Sequence, residues 1–155
     1  MVFDIRLNID SLGVDSSDPT FVTGEVWITL NGESFPGERW ADSPISVLGS
    51  FGSAIEMARA GEAADAYFFE GPYFVKFSPA VSSGEAMQVR ATALRDYWDE
   101  SAGEHLGQII LDEVVSLGDI EGAYRSALER LISWGERVGE AKLLSILQRL
   151  KCQSG

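Results

Sequence analysis

Apolar side chains return at every second position along much of this chain, and at every third or fourth position only over 45–58 and beyond 119. The two periods belong to strands and helices respectively, so their order limits the fold before any residue is weighed individually. Phe3, Ile5, Leu7 and Ile9 alternate with Asp4, Arg6 and Asn8, which predicts a half-buried strand over 2–9. The stretch Asp10 to Thr20, rich in Ser, Asp, Gly and Pro, predicts a loop. A second strand follows over 21–30, with Val26, Ile28 and Leu30 opposite Glu25, Trp27 and Thr29. Asn31-Gly32 then signals a type I′ turn, with a brief return over Glu33 to Phe35 before Pro36-Gly37.

Ser43-Pro44 reads as an N-cap and first helical residue, and Ile45, Leu48, Phe51, Ile55 and Ala58 continue at helical spacing. Gly49 and Gly52 each cost such a helix about 1 kcal/mol relative to alanine, which implies a close approach there, with the sheet as the expected neighbour. Residues 66–70 and 73–77 predict two strands around Glu70-Gly71-Pro72. Aromatic residues on both of their faces imply a central, doubly covered position. Ser82-Ser83-Gly84 marks a turn, Met87, Val89, Ala91 and Ala93 a strand, and 107–117 another, with Ile109, Leu111, Val115 and Leu117 on one face. Asp96 to Glu104 reads as an acidic link between those two strands. Gly118-Asp119 is expected to cap a long helix bearing Ile120, Tyr124, Ala127, Leu128, Leu131, Trp134 and Val138. A last helix presents Leu143, Leu147 and Leu150. Runs of strands without βαβ alternation give an α+β class: a mainly antiparallel sheet of about six strands, one central helix and two C-terminal helices, in a single domain over 1–155.

The 155 residues are 45% hydrophobic, enough for a core without staples. No window approaches the roughly 18 apolar residues of a membrane span, and the start lacks a basic segment followed by an apolar run. The single cysteine, Cys152, has no internal partner for a disulfide, so a cytoplasmic setting is expected. Net charge is −12, unevenly spread: nineteen acids against six bases in the first 118 residues, five against six in the rest. That field repels phosphate backbones and anionic lipid, so neither nucleic acid nor membrane is an expected partner, whereas a basic protein domain is. Acidity also serves solubility alone.

No catalytic residues, cofactor or metal site are expected. His105 is the sole histidine, and a dyad with Cys152 would need a thiolate held in register at the fourth position from the end of this sequence. Asp96, Asp99, Glu100, Glu104 and His105 lack the spacing of a calcium loop, and zinc would want more His or Cys. Gly49 to Ser53 lacks the Lys-Ser/Thr ending of a phosphate loop. More suggestive are Asp96, Tyr97, Trp98, Asp99 and Glu100, where two large aromatics stand among acids. Such a set suits a protein interface, although packing of Tyr97 and Trp98 on the core at the end of the strand is the commoner use of such rings. Glu104 joins this partner-binding set, and Asp15 and Asp18 in the early loop form a second acidic group.

The stretch Trp40-Ala41-Asp42-Ser43-Pro44 leading into Ile45 to Gly49, with Phe68-Phe69-Glu70-Gly71-Pro72-Tyr73, resembles small bacterial proteins akin to immunity proteins of polymorphic or contact-dependent toxin systems. The resemblance covers about a third of the chain and rests on structural positions, so no residue role is carried over from it. It implies non-catalytic, tight binding to a cognate toxin domain whose active site or substrate surface is occluded. Two alternatives remain open. One is a small-molecule-binding or enzymatic domain with a pocket lined by Tyr67, Phe69, Tyr73 and Phe77. The other is a homo-oligomer built through the amphipathic C-terminal helices.

Overall fold

The computed structural model describes residues 2–80 and 87–153, which leaves the expected Ser82-Ser83-Gly84 turn outside the described residues. Their order is β1 (Phe3–Val14), β2 (Val22–Leu30), β3 (Glu33–Phe35), β4 (Ala41–Asp42), α1 (Pro44–Arg59), β5 (Ala64–Tyr67), β6 (Tyr73–Pro79), β7 (Gln88–Asp99), β8 (Glu104–Ser116), α2 (Leu117–Val138) and α3 (Ala141–Gln153). The fold is α+β with antiparallel pairing throughout, and the strands divide between two sheets. In the first, β1 pairs β2, and β2 carries both β3 and β4 on its other side. The second runs β5-β6-β7-β8 in sequence order.

Aromatic side chains join the two sheets. Phe3 of β1 meets Phe77 of β6 edge-to-face at 6.0 Å, and Phe35 of β3 meets Tyr73 at 5.7 Å. Phe51 of α1 contacts both Phe68 and Phe77, so the central helix closes the same core from the side. Gly49 and Gly52 do mark close approaches, but to helices rather than to a sheet. A Cβ on Gly52 would stand 2.6 Å from the Tyr124 hydroxyl of α2, and one on Gly49 would touch Leu150 of α3. Burial of Tyr124 in that contact raises its phenol pKa.

Local chemistry sets the boundaries. Asn31 and Gly32 both take positive φ, as the type I′ turn between β2 and β3 requires. Helix α2 is capped by Ser116 rather than by Gly118-Asp119: the Ser116 hydroxyl accepts from the Asp119 amide at 3.1 Å. Gly139, left-handed at φ 75°, ends that helix and lets Leu143, Leu147 and Leu150 of α3 fold back into the core. Strand β1 runs on to Val14, past the predicted end at residue 9, through a register shift between Asn8 and Gly13. There the Ser11 hydroxyl accepts from the Glu25 amide and donates to the Asn8 carbonyl, restoring the interrupted ladder. Trp27, which faces the polar side of its strand by alternation, is buried. The doubly aromatic strands are not doubly covered: β5 is an edge strand, and Tyr67 and Phe69 are exposed.

One acid organises the junction. Asp42 is buried, and its Oδ2 accepts from Trp40 Nε1 at 2.9 Å and from the amides of Phe69 and Glu70 at 2.9 and 3.3 Å. Its Oδ1 accepts from the Ser43 amide at 2.7 Å. The carboxylate thereby ties β4 and the start of α1 to the β5–β6 connection, and its four donors satisfy a polar group that would be costly to bury alone.

Candidate functional site: the β7–β8 hairpin

The acidic link expected over 96–104 is instead the end of a β-hairpin. Strand β7 continues to Asp99 and β8 begins at Glu104, with Trp98 opposite His105 and Asp99 opposite Glu104. Apolar alternation fades after Leu94 because β6 pairs with β7 only as far as Arg95, with one further bond from the Asp96 amide to the Pro72 carbonyl. Beyond that point the hairpin is, among the described residues, a two-stranded ribbon with no third strand beside β7 and no buried face to enforce a pattern.

Its turn is held from within. Asp99 Oδ1 accepts from the Ser101 hydroxyl at 2.6 Å and from the amides of Ser101 and Ala102, while the Gly103 amide reaches the Asp99 carbonyl. Gly103 takes φ 65°, a conformation that glycine adopts without strain. These bonds, led by the Ser101 hydroxyl, hold the Asp99 carboxyl below the usual carboxylate range.

Strand alternation places Asp96 and Trp98 on one face and Tyr97 on the other, opposite Leu106. Trp98 is 55% exposed and Tyr97 38%, so neither ring packs into the core. Trp98 stands edge-on to the His105 ring at 5.2 Å, and His105 Nδ1 lies 3.2 Å from Asp96 Oδ2. The three side chains support one another on an open surface, which keeps the indole oriented while leaving it accessible.

Six of the eight sequence-predicted residues, Asp96, Tyr97, Trp98, Asp99, Glu100 and Glu104, come together on this hairpin. The other two do not join them. Asp15 and Asp18 lie in the β1–β2 loop of the first sheet, where Asp15 accepts from the Ser17 amide and hydroxyl and Asp18 from those of Thr20. Both carboxyls are held below their ordinary value, chiefly by those hydroxyls. Three of the candidate acids therefore serve first to close their own turns.

Sequence reasoning missed two features. Asp42 was visible within the Trp40 to Pro44 segment, but two of its four donors, the amides of Phe69 and Glu70, come from 27 and 28 positions away. The second is a bulge in β8. Ala93 pairs with Leu111 and Leu94 with Ile109, so Ile110 is an extra residue. Ile109 consequently lies on the opposite face from Leu111 and Val115, not with them, and Ile109 and Ile110 are 62% and 46% exposed. The adjacent pair Ile109-Ile110, which breaks alternation, was the available signal.

Elsewhere the described residues hold no group of three or more His, Cys, Asp or Glu placed for a metal ion, and no helix among them is long and apolar enough to cross a membrane. His105 neighbours Asp96 and Trp98, whereas Cys152 lies exposed on α3. The four rings considered for a pocket do not converge. Phe77 is buried against Phe3 and Phe51 and Phe69 is exposed. Tyr67 and Tyr73 border a cavity of about 280 Å³ together with Phe74 and Asp96. Comparisons with protein families, curated proteins and solved structures gave no match to this chain.

Proposed function

We propose that this chain is a non-enzymatic protein-binding module of the immunity type, which neutralises a basic toxin domain by laying the end of the β7–β8 hairpin over its active site or substrate surface. The observation that carries the reading is the exposed Trp98, braced by His105 and Asp96 and flanked by Asp99, Glu100 and Glu104. An oriented aromatic loses little conformational freedom on binding and fills a partner's pocket, while surrounding acids meet Lys or Arg. A net charge of −12 draws a basic domain at long range. Nucleases approach phosphate with positive surfaces, so such a domain fits the charge. A cytoplasmic encounter fits the lone cysteine.

The test compares wild type with the double variant Tyr97→Ser, Trp98→Ser. Wild type is expected to retain a basic protein from extracts of its native host, above all a neighbouring-gene product, and to protect cells in which that protein is expressed. The variant, folded by circular dichroism, is expected to lose both properties. Retention and protection unchanged in the variant would remove the hairpin from the account, and the absence of any basic partner would remove the immunity reading itself.

A further inference from the structure

Among the described residues, strand β8 has no strand paired along its outer edge. It is the terminal strand of its sheet, 13 residues long, and contains neither lysine nor proline. Exposed edges of this length invite a further strand unless they are shortened, charged, bulged or covered. The only such device at its centre is the bulge at Ile110, where the run Gly107 to Leu111 carries no charge.

The bulge also selects the partner. Before it, odd-numbered residues of β8 share the face of Trp98; after it, even-numbered residues do, as Asp112 opposite Thr92 and Val114 opposite Arg90 show. A regular strand laid along β8 would match faces on one side of the bulge and mismatch them on the other. A second copy of β8, running antiparallel about a two-fold axis between Ile109 and Ile110, switches face at the same place. In that register His105 lies opposite Val114, Leu106 opposite Glu113, Gly107 opposite Asp112 and Gln108 opposite Leu111. Every pair then shares a face. Moving the axis by half a residue, onto Ile109 or Ile110, sets opposite faces against each other in the flanking pairs. Moving it by a whole residue keeps those faces but leaves a mismatched pair at the axis, Ile110 opposite Leu111 or Gln108 opposite Ile109. No carboxylate stands directly opposite another, despite the acidity of the chain. His105 falls diagonally beside Asp112 of the second copy.

We infer that this protein forms a two-fold homodimer by antiparallel pairing of β8 with β8 of a second copy, which joins two four-stranded sheets into one. Main-chain hydrogen bonds along about 40 Å of strand supply the attraction. Two chains of net −12 oppose it at long range, so the dimer tightens as salt is added. Binding of a basic partner at the hairpin weakens with salt, and this opposite response separates the two interactions.

Sedimentation equilibrium of the full chain over rising concentration and ionic strength reads the first part. A dimer strengthened by salt is expected, and Ile110→Lys is expected to weaken it at least about tenfold without changing the circular dichroism of the dilute protein. Val138→Lys, at an exposed apolar position of α2, is expected to leave the dimer intact. The register is read in a Cys152→Ser background by mixing two single variants, His105→Cys and Val114→Cys. Disulfide cross-links are expected in the mixture and not in either variant alone. One protomer's mass up to about 1 mM, a dimer indifferent to Ile110→Lys, or cross-linking within a single variant would each overturn the inference.

Discussion

Two long edge strands close the two sheets of this protein, and they are treated in opposite ways. Strand β1 has α2 laid along it, and the Arg130 guanidinium donates to the Leu7 carbonyl at 2.8 Å across 123 residues of sequence. Strand β8, of similar length, has β7 on one side and, among the described residues, no strand on the other, and it exposes Ile109, Ile110 and Val114. The covered edge belongs to the part of the molecule that makes it stable. The open edge and the hairpin that ends it are where association can occur at little cost to the fold. Substitutions in the two regions should therefore differ in kind as well as in size.

The largest effect belongs to the closed region. Phe77→Ala removes the ring on which Phe3 and Phe51 both pack, and should destabilise the fold by about 4 kcal/mol in urea unfolding. Asp42→Asn keeps the shape but turns an amide nitrogen toward groups that are all donors; a loss of about 2–3 kcal/mol is expected from the same titration. In the open region the balance reverses. Tyr97→Ser with Trp98→Ser should change unfolding free energy by less than about 1 kcal/mol yet cost about 2 kcal/mol or more in partner affinity, measured by calorimetry. Arg130→Met should cost about 1–2 kcal/mol and speed amide exchange in β1, because the Leu7 carbonyl loses a charged donor.

The smallest effect is local and depends on pH. Asp15, Asp18 and Asp99 have carboxyls held below the ordinary range by the hydroxyls of Ser17, Thr20 and Ser101. A depressed folded-state value means that each turn is stabilised above about pH 4 and loses that support as pH falls through the lowered value. The amide shifts of Ser17, Thr20 and Ser101 should follow these titrations, with no corresponding change on the alkaline side.

The same contrast explains what could be read from the sequence. Where a face is buried, the pattern is strong. Phe3 to Leu7, Val26 to Leu30 and the Leu residues of α3 announced their elements, and Asn31-Gly32 announced its turn. Where both faces meet water, nothing constrains side-chain period, so β7 seemed to stop at Ala93 and the hairpin through Trp98 and His105 passed for a link. The cluster of Asp96 to Glu104 was legible as composition, but its arrangement depended on pairing that composition does not encode. Asp42 was hidden for a different reason: a buried acid is defined by donors that only the folded chain delivers.

Hydrogen exchange along both edge strands, followed at low and high protein concentration, tests the contrast most directly. Protection of β1 should be the same at every concentration, because α2 belongs to the same chain. Protection within β8 should rise with concentration at amides that point away from β7. Equal protection of β8 at all concentrations, or a β1 that responds as β8 does, would contradict the account.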